Sequence, residues 1–197
     1  MIRAYTDGGF KKEHATCSYG VYIVPEELIE TKEGVYKYGL VDYEKLTSQI
    51  SEMWACKIAL ETLLEYDFNN DEIVLYSDSQ YCINTMSKWY NSWVKKGTLD
   101  SKANIELWYE IMHMVKKFKN IKFEWVRGHN GDIHNELVDG INQVAIGRTT
   151  IEKVLKKFKG WLMNYTLNEK LNSALNSVIV GNYASIEDFF WWWLWSS

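Results

Sequence analysis

The stretch Ala4-Tyr5-Thr6-Asp7-Gly8 runs from apolar and aromatic residues into a small hydroxyl residue and then a carboxylate, and Leu75-Tyr76-Ser77-Asp78-Ser79 repeats this pattern. Each stretch is typical of a short buried strand, Ile2 to Thr6 and Ile73 to Ser77, that ends in an Asp. In an open α/β sheet, ligands bind at the carboxyl ends of adjacent parallel strands. If these strands are neighbours, two like charges lie close together, which costs free energy unless a cation lies between them. The repeat therefore predicts a metal site.

The length of the chain predicts one domain of ordinary size with an appendage, because 197 residues can bury a full core. The formal net charge is −4, so no overall basic field indicates nucleic acid as a partner. Residues 88 to 127 nevertheless carry nine Lys and Arg against four Asp and Glu. This segment predicts a local basic face.

Three cysteines, Cys17, Cys56 and Cys82, are odd in number and share no metal-type spacing, which favours reduced thiols in a cytoplasmic protein. We identify no signal peptide. The longest apolar run, Phe189 to Trp195, has seven residues, whereas roughly 20 are needed to span a bilayer. We therefore expect a soluble protein of the cytoplasm.

Hydrophobic periodicity predicts an antiparallel hairpin early in the chain and a helix after it. Residues 19–24 and 35–41 are rich in β-branched and aromatic side chains around a polar loop that contains Pro25. Residues 51–65 have helical periodicity, and Glu52 falls on the apolar stripe. A carboxylate in a first helical turn is also favoured by the macrodipole. Its place on the inward face favours a function for Glu52.

The rest of the pattern predicts two more helices, a final strand and a final helix. The helices are predicted at residues 81–86 and along the stripe from Trp108 to Phe118, with a polar, basic and aromatic connection at 89–102 between them. Residues 121–125 alternate as expected of a half-exposed strand. The order β-β-β-α-β-α-α-β-α predicts a mixed sheet with helices on both faces.

The segment after the last predicted strand, Gly128 to Asp139, makes a family resemblance specific. It places His129 in a glycine-flanked loop and Asp139 ten residues later. The chain resembles the type 1 ribonuclease H family, whose active site joins three carboxylates, from a strand, a helix and a strand, to a fourth Asp on the last helix. The family's four segments occur in order over about residues 1 to 147: Tyr5-Thr6-Asp7-Gly8-Gly9, Thr47-Ser48-Gln49-Ile50-Ser51-Glu52, Asp78-Ser79-Gln80-Tyr81 and Val126-Arg127-Gly128-His129 through Asp139. One such motif is weak evidence, but the ordered set is strong.

The resemblance implies an α/β, ribonuclease H-like fold. Its five-stranded mixed sheet has three antiparallel and then parallel strands, with helices on both faces. We place the catalytic domain at residues 1–148 and a helical extension at 149–197. This extension comprises a basic amphipathic stripe, a polar stretch and a Trp-rich terminus. The terminus is too apolar to be exposed to water, so it folds back, binds a protein or a membrane interface, or mediates self-association.

Four carboxylates without a thiolate or a histidine cluster favour a hard cation, Mg²⁺ with Mn²⁺ as a substitute. The resemblance implies two ions about 4 Å apart, an RNA–DNA hybrid as substrate, and hydrolysis of its RNA strand to 5′-phosphate and 3′-hydroxyl ends. It also implies roles for the site residues. Asp7 bridges both ions, Glu52 and Asp78 hold one of them, Asp139 completes the water-activating site, and His129 assists proton transfer or product departure.

Each of these residues also has a simpler explanation. Asp7 and Asp78 could be turn residues, Asp139 a helix cap and His129 a surface histidine. Any one of these alternatives is the commoner outcome, but four coinciding is improbable. A zinc site at His129 and His134 is a poor interpretation, because no other Cys or His pair completes a tetrahedral set.

The resemblance also implies where the substrate binds, since hybrids expose 2′-hydroxyls and base edges in a shallow minor groove. The residues that contact the RNA strand or the minor groove are Gly8, Gly9, Ser48, Gln49 and Gln80. The DNA strand lies along Tyr81, Trp89 and Trp93, and a phosphate pocket uses Lys45, Thr47 and Asn104. A short basic handle carries Lys95, Lys96 and Lys102. Ser48 stands where the family commonly has Asn. Core packing is the alternative for Trp89 and Trp93, although their spacing within a Lys-rich segment argues against it.

Two rival functions come from other classes. A non-catalytic module that binds hybrids is disfavoured because all four carboxylates are present. A nuclease of the same fold that acts on DNA, such as an integrase or resolvase, is disfavoured by the glycine-histidine loop and the aromatic channel.

Overall fold

The computed structural model describes residues 1–29, 34–128, 132–150, 152–154 and 157. Within them, five strands form a sheet in the order β3-β2-β1-β4-β5. The strands are β1 (Ile2–Lys11), β2 (Thr16–Pro25), β3 (Val35–Leu40), β4 (Glu72–Ser77) and β5 (Asn120–Trp125). β1, β2 and β3 pair antiparallel, whereas β4 pairs parallel with both β1 and β5. This topology confirms the predicted mixed sheet.

Helices cover both faces of the sheet, as predicted. They are α1 (Ser48–Glu65), α2 (Gln80–Asn84), α3 (Tyr90–Lys95), α4 (Ile105–Val115) and α5 (Ile133–Ala145). On one face the main apolar core joins β1, β2 and β4 to α1, α2 and α4, with Trp108 fully buried in it. On the other face Val138 of α5 packs against Tyr5 and Tyr22. Because successive strand residues point to opposite faces, Ala4 enters the main core while Tyr5 lies under α5.

A row of tyrosines crosses the sheet beneath α5. Tyr36, Tyr22, Tyr5 and Tyr76 come from four neighbouring strands, and their rings stack with centroid distances of 4.4, 6.2 and 4.8 Å. His134 of α5 stacks on Tyr5 and Tyr22 at 5.0 and 5.7 Å. The row therefore anchors the start of α5 to the sheet.

β1 is longer than the sequence predicts, so the expectation that it ends at an Asp is wrong. Its antiparallel pairing with β2 continues to Lys11, opposite Thr16. Its parallel pairing with β4 stops at Thr6, opposite Ser77. Asp7 is therefore a residue within β1, at the point where only β2 still pairs with it. Asp7 and Asp78 nevertheless occupy equivalent positions, directly after the last parallel pair.

α1 begins three residues earlier than predicted, because Thr47 caps it. The Thr47 Oγ1 accepts a hydrogen bond from the Ile50 N–H at 3.2 Å. Glu52 consequently falls in the second turn. Since the macrodipole effect is confined to the first turn, it does not explain a carboxylate at this position.

The predicted connection at residues 89–102 is wrong in its first half, which is helical. A π-helical turn, Thr85–Trp89, joins α2 to α3, so the helical path continues from Gln80 to Lys95. Tyr90 is buried in the main core, and this packing stabilises a segment whose polar composition predicts a loop. Gly97, with φ of 64°, ends the run in the left-handed conformation that glycine favours.

The C-terminal extension is described only at residues 149–150, 152–154 and 157. Val154 is buried against Leu137 and Ile141 of α5, and the Lys157 Nζ lies 3.0 Å from the Glu136 Oε2. The rest of the amphipathic stripe, the polar stretch and the Trp-rich terminus lie outside the described residues, and the domain division at 148 stays a prediction. Over the described part of the chain, no helix combines the length and apolar character needed to cross a membrane.

Candidate metal centre

Three carboxylates converge at the edge of the sheet where β1 and β4 part. Asp7 of β1, Glu52 of α1 and Asp78 after β4 each offer one oxygen, and these three atoms all lie within 4.8 Å of one another. Asp7 is 6% exposed, and Glu52 and Asp78 are half-buried. A strand, a helix and the turn after a second strand thus bring together the three carboxylates that the sequence predicts.

A glycine allows α1 to come close enough for Glu52 to reach Asp7. A Cβ atom at Gly8 would lie 2.3 Å from the Glu52 backbone N and 2.4 Å from the Ser51 backbone C. Those separations are far below van der Waals contact, so any side chain at position 8 would push α1 away from β1. The structure thus gives Gly8 a part in assembling the site, and its predicted substrate contact stays a prediction.

Burial and like charge act together on the two inner carboxyls. Burial raises the pKa of Asp7 to about 8, and the charges of Asp139 and Asp78 add to the effect. Burial raises the pKa of Glu52 well above its usual range, with the charges of Asp7 and Asp78 as further causes. The buried Glu52 Oε2 has no hydrogen-bond partner among the described residues. A buried acceptor without a donor, beside two other carboxylates, is what a hard divalent cation satisfies.

The turn that carries Asp78 is held from two sides. The Ser77 Oγ accepts a hydrogen bond from the Ser79 N–H at 3.1 Å. From β5, the Trp125 indole Nε1–H donates to the Asp78 carbonyl oxygen at 2.8 Å. Sequence periodicity identifies Trp125 only as an alternating strand residue. Its support of the Asp78 backbone needs the β4–β5 register, which places Trp125 opposite Ser77.

Asp139 lies beside this cluster without belonging to it. It is on α5, where its Oδ1 accepts a hydrogen bond from the Gln143 Nε2 at 3.0 Å. Its charge contributes to the raised pKa of Asp7, so the two carboxyls are close enough to interact. The three-oxygen cluster found within 4.8 Å does not include Asp139.

His129 lies outside the described residues, which leave out 129–131. Asp132, the next described residue, caps α5, because its Oδ1 accepts hydrogen bonds from the N–H groups of His134 and Asn135 at 3.0 and 3.1 Å. His134 stacks on the tyrosine row. The predicted role of His129 therefore stays a prediction.

Asn142 is a site residue that sequence reasoning missed. It is fully buried on α5, and its Nδ2–H donates to the Asp7 Oδ2 at 2.5 Å. The available signal was its spacing, because residues three apart on a helix share a face and Asn142 follows Asp139 by three. A buried amide on the inward face of a helix needs a polar partner, and Asp7 is that partner.

The aromatic residues predicted to follow the DNA strand form one continuous cluster beside α2 and α3. Ring centroids lie 6.4 Å apart for both the Tyr81–Trp89 and the Trp89–Trp93 pairs. Trp89 is 38% exposed, whereas Tyr81 and Trp93 pack against the main core. The Tyr81 hydroxyl accepts a hydrogen bond from the Trp108 Nε1–H at 2.9 Å. The Trp89 ring is thus accessible to solvent, whereas the Tyr81 and Trp93 rings also pack against the core.

The remaining predicted contacts are mostly at the surface. Ser48, Gln49 and Gln80 are exposed in the first turns of α1 and α2, and Lys95 and Lys96 are exposed at the end of α3. Gly9 is buried in β1. The Lys102 Nζ lies 5.4 Å from the Trp93 ring centroid.

Two of the three residues predicted for a phosphate pocket line one cavity. Lys45 and Asn104 border a space of about 600 Å³, together with Asp42, Tyr43, Glu44 and Glu106. Thr47 is not among these lining residues, and its Oγ1 caps α1. Three carboxylates around one lysine oppose the binding of an anion, so the surroundings of Lys45 differ from those expected of a phosphate site.

Comparison with protein families and curated proteins gives a consistent result. A family model described as RNase H matches residues 1–146. A ribonuclease H from Escherichia coli O9:H4 (strain HS) is 30% identical over 156 residues, covering 77% of this chain and 93% of that protein. A ribonuclease H from Geotalea uraniireducens (strain Rf4) is 42% identical over 79 residues, covering 38% of this chain and 53% of that protein.

Solved structures share the fold. RNase H1 from the halophilic archaeon Halobacterium salinarum NRC-1 has a TM-score of 0.54 at 19% identity, covering 75% of this chain and 98% of that one. LC11-RNase H1, crystallised in complex with an RNA/DNA hybrid, has a TM-score of 0.54 at 20% identity, covering 75% of this chain and 100% of that one. At these identities the likeness shows the fold alone.

Proposed function

The chain belongs to the RNase H family of nucleases, and we propose that it is an endonuclease that hydrolyses the RNA strand of RNA–DNA hybrids with two divalent metal ions. The observation that carries this proposal is the convergence of Asp7, Glu52 and Asp78, whose oxygens lie within 4.8 Å of one another. The hybrid bound to a protein of the same fold supports the choice of substrate. The cleavage leaves 5′-phosphate and 3′-hydroxyl ends.

The proposed ions are Mg²⁺, with Mn²⁺ as a substitute. All the side chains in the centre offer oxygen, which suits small hard cations that retain several waters and bind phosphate oxygens. When bound, the ions supply an activated water and neutralise charge on the phosphodiester. Asp7 would contribute to both ions, Glu52 and Asp78 to one of them, and Asp139 to the second.

The reaction is an in-line displacement at phosphorus. The oxygen of water forms a new bond to phosphorus, the P–O3′ bond breaks, and the 3′ oxygen leaves with a proton. The protein's contribution is to hold ionised carboxylates in a fixed arrangement before the substrate binds. His129 would assist the proton transfer or the departure of the product, so its loss should slow turnover without abolishing it.

Groups around the centre would position the hybrid. Gly8, Gly9, Ser48, Gln49 and Gln80 would lie along the RNA strand or the minor groove. Tyr81, Trp89 and Trp93 would pack against the deoxyribose of the DNA strand, and Lys95, Lys96 and Lys102 would contact phosphates. The exposed ring of Trp89 is the best placed of the three for contact with a sugar or a base.

Residues 1–148 would form the catalytic domain, with the extension beginning at 149. The burial of Val154 against α5 supports an extension that packs on the domain at its start. For the Trp-rich terminus, deletion of residues 186–197 followed by measurement of oligomeric state and hybrid cleavage tests folding back and self-association. Unchanged behaviour in both assays would leave only an unknown partner.

The deciding experiment uses three 5′-labelled duplexes of one sequence: an RNA–DNA hybrid, an RNA duplex and a DNA duplex. We expect the RNA strand of the hybrid to be cut internally in Mg²⁺, and both other duplexes to stay intact. EDTA or Asp78→Asn should abolish cleavage. Cleavage of the DNA duplex, or hybrid binding without cleavage at any divalent metal concentration, would contradict the proposal.

A further inference from the structure

The Asp7 side chain has a partner that the three converging carboxylates do not explain. The Asn142 Nδ2–H, on α5, donates a hydrogen bond to the Asp7 Oδ2 at 2.5 Å. Both residues are buried, with Asn142 fully inaccessible and Asp7 6% exposed. This hydrogen bond occupies one carboxylate oxygen of Asp7 from the side of α5.

A second residue fixes the orientation of that amide. The Ser18 hydroxyl, on β2, donates to the Asn142 Oδ1. It also lies 3.4 Å from the backbone carbonyl oxygen of Asn142. Since Ser18 donates to the amide oxygen, the amide nitrogen must face the opposite way, toward Asp7. Ser18 is fully buried as well, so water does not compete for either group.

The chain leaves room for this pair at Gly9, which lies between the three groups. A Cβ atom at Gly9 would come within 2.6 Å of the Ser18 Oγ and within 2.8 and 2.9 Å of the Asn142 Oδ1 and Nδ2. Any larger residue at position 9 would therefore separate Ser18 from Asn142. β1, β2 and α5 thus meet at this point through polar contacts.

We propose, on the basis of the metal centre in the proposed function, that Ser18 and Asn142 are positioning residues. They hold Asp7 in the orientation needed for metal binding. Asn142 engages one oxygen of the Asp7 carboxylate, and the same carboxylate offers an oxygen to the cluster with Glu52 and Asp78. Ser18 acts through Asn142, by setting which end of the amide faces Asp7. Groups that orient a ligating carboxylate typically change metal affinity about 10- to 100-fold when they are removed.

The hydrogen bond between Asn142 and Asp7 also affects where Asp139 lies relative to Asp7. Asn142 and Asp139 lie three residues apart on α5, so they share a face of the helix. When Asn142 is bound to Asp7, the position of Asp139 relative to Asp7 is set by one turn of helix. The pair therefore fixes both the orientation of Asp7 and the distance at which α5 presents its own carboxylate.

The test is the affinity of the metal-free full chain for Mn²⁺, measured by titration calorimetry for the parent, Asn142→Ala and Ser18→Ala. We expect Asn142→Ala to weaken Mn²⁺ binding about 10- to 100-fold, and Ser18→Ala to weaken it by a smaller factor. Thr62→Val is the control, because it removes the hydrogen bond that another fully buried residue, Thr62, donates to the Ile58 carbonyl at 2.7 Å, on α1 beyond the centre. It should leave the affinity unchanged.

Unfolding in EDTA identifies any variant that fails to fold. Asn142→Leu, which keeps roughly the size of the side chain but removes its donor, then takes the place of Asn142→Ala. The inference is overturned if the folded Asn142 and Ser18 variants bind Mn²⁺ as tightly as the parent, or if Thr62→Val weakens binding equally. Hybrid cleavage by the parent is measured separately, so an unchanged Mn²⁺ affinity in the variants would not contradict the proposed function. A parent that binds Mn²⁺ without cutting hybrids contradicts the function alone.

Discussion

The indole N–H of Trp125 donates a hydrogen bond to the backbone carbonyl of Asp78, with 2.8 Å between the two heavy atoms. The bond ties the end of β5 to the turn that carries one of the three converging carboxylates. Trp125 is 45% exposed, so its ring adds little to the core. Its contribution is to hold the Asp78 backbone in place.

Trp125→Phe tests this relationship, because it keeps an aromatic ring and removes the donor. A hydrogen bond of this kind contributes about 1 kcal/mol, so we expect kcat/KM for hybrid cleavage to fall about fivefold with a small change in melting temperature. Tyr109→Phe is the control, since it removes an exposed hydrogen bond to Asp100 of 2.7 Å outside the carboxylate centre. Equal effects of the two changes would contradict a specific role for Trp125.

The raised pKa of Asp7 predicts how the stability of the metal-free protein depends on pH. A carboxyl whose pKa moves from 3.8 to about 8 on folding binds more protons in the folded state between those values. The free energy of unfolding therefore falls as pH rises from about 4 to 8. Urea unfolding in EDTA at several pH values measures this slope, and Asp7→Asn should flatten it. A variant slope as steep as that of the parent would show that other groups cause the dependence.

Divalent metal should reverse that loss of stability. Binding requires ionised carboxylates, so metal and protons compete for Asp7 and Glu52. We expect Mg²⁺ or Mn²⁺ to raise the melting temperature clearly at pH 8 and hardly at pH 5, because a ligand that binds only the folded state stabilises it. Asp78→Asn should remove most of the effect at pH 8. A metal-induced shift of equal size at both pH values would be inconsistent with this centre.

Gly8→Ala should separate α1 from β1. Its Cβ would lie 2.3 Å from the Glu52 backbone N, and relief of an overpacked contact of this kind costs about 1–3 kcal/mol. We expect a loss of stability of that order together with loss of cleavage, because Glu52 moves away from Asp7. Gly39→Ala is the matched control, since its Cβ would meet only the end of the Tyr19 side chain at 3.1 Å. An active Gly8→Ala protein would show that α1 need not approach so closely.

The short basic handle predicts a shallow dependence of hybrid binding on salt. With three lysines, Lys95, Lys96 and Lys102, contacting phosphates, the slope of log K against log salt should be about −3. Replacing Lys95 and Lys96 by Ala should flatten it by about 2, whereas Lys122→Ala, which breaks an exposed ion pair with Glu72, should not. A parent slope near −10 would indicate a far larger contact surface.

Local sequence patterns were sufficient to place the three central carboxylates. Asp7 and Asp78 follow matching apolar stretches, and strands of that kind run parallel in the sheet, as the Thr6–Ser77 pair shows. Glu52 shares its helical stripe with Cys56 and Leu60, both fully buried. In each case the residue's own neighbours carry the signal. The one long-range relation that the prediction assumed, that the two strands are neighbours, is the β1–β4 pairing.

Contacts between distant parts of the chain could not be predicted in this way. Asn142 lies 135 residues from Asp7, and nothing near it in sequence identifies its partner. The carboxylates that surround Lys45 come partly from α4, through Glu106. The helical path through Trp89 depends on the burial of Tyr90. The polar residues around Tyr90 in the sequence give no sign of this burial. Each omission is a tertiary contact that overrides local composition.

The stacked tyrosines of β3, β2, β1 and β4 have a consequence for how the sheet finds its alignment. A strand shifted by one residue turns every side chain to the opposite face, so such a slip in β2 would remove Tyr22 from the stack and place an aliphatic neighbour beneath His134. The misaligned sheet would lose aromatic contacts with both flanking strands at once. The row therefore favours the correct alignment of the strands, and this alignment also sets the positions of the acidic residues at the edge of the sheet.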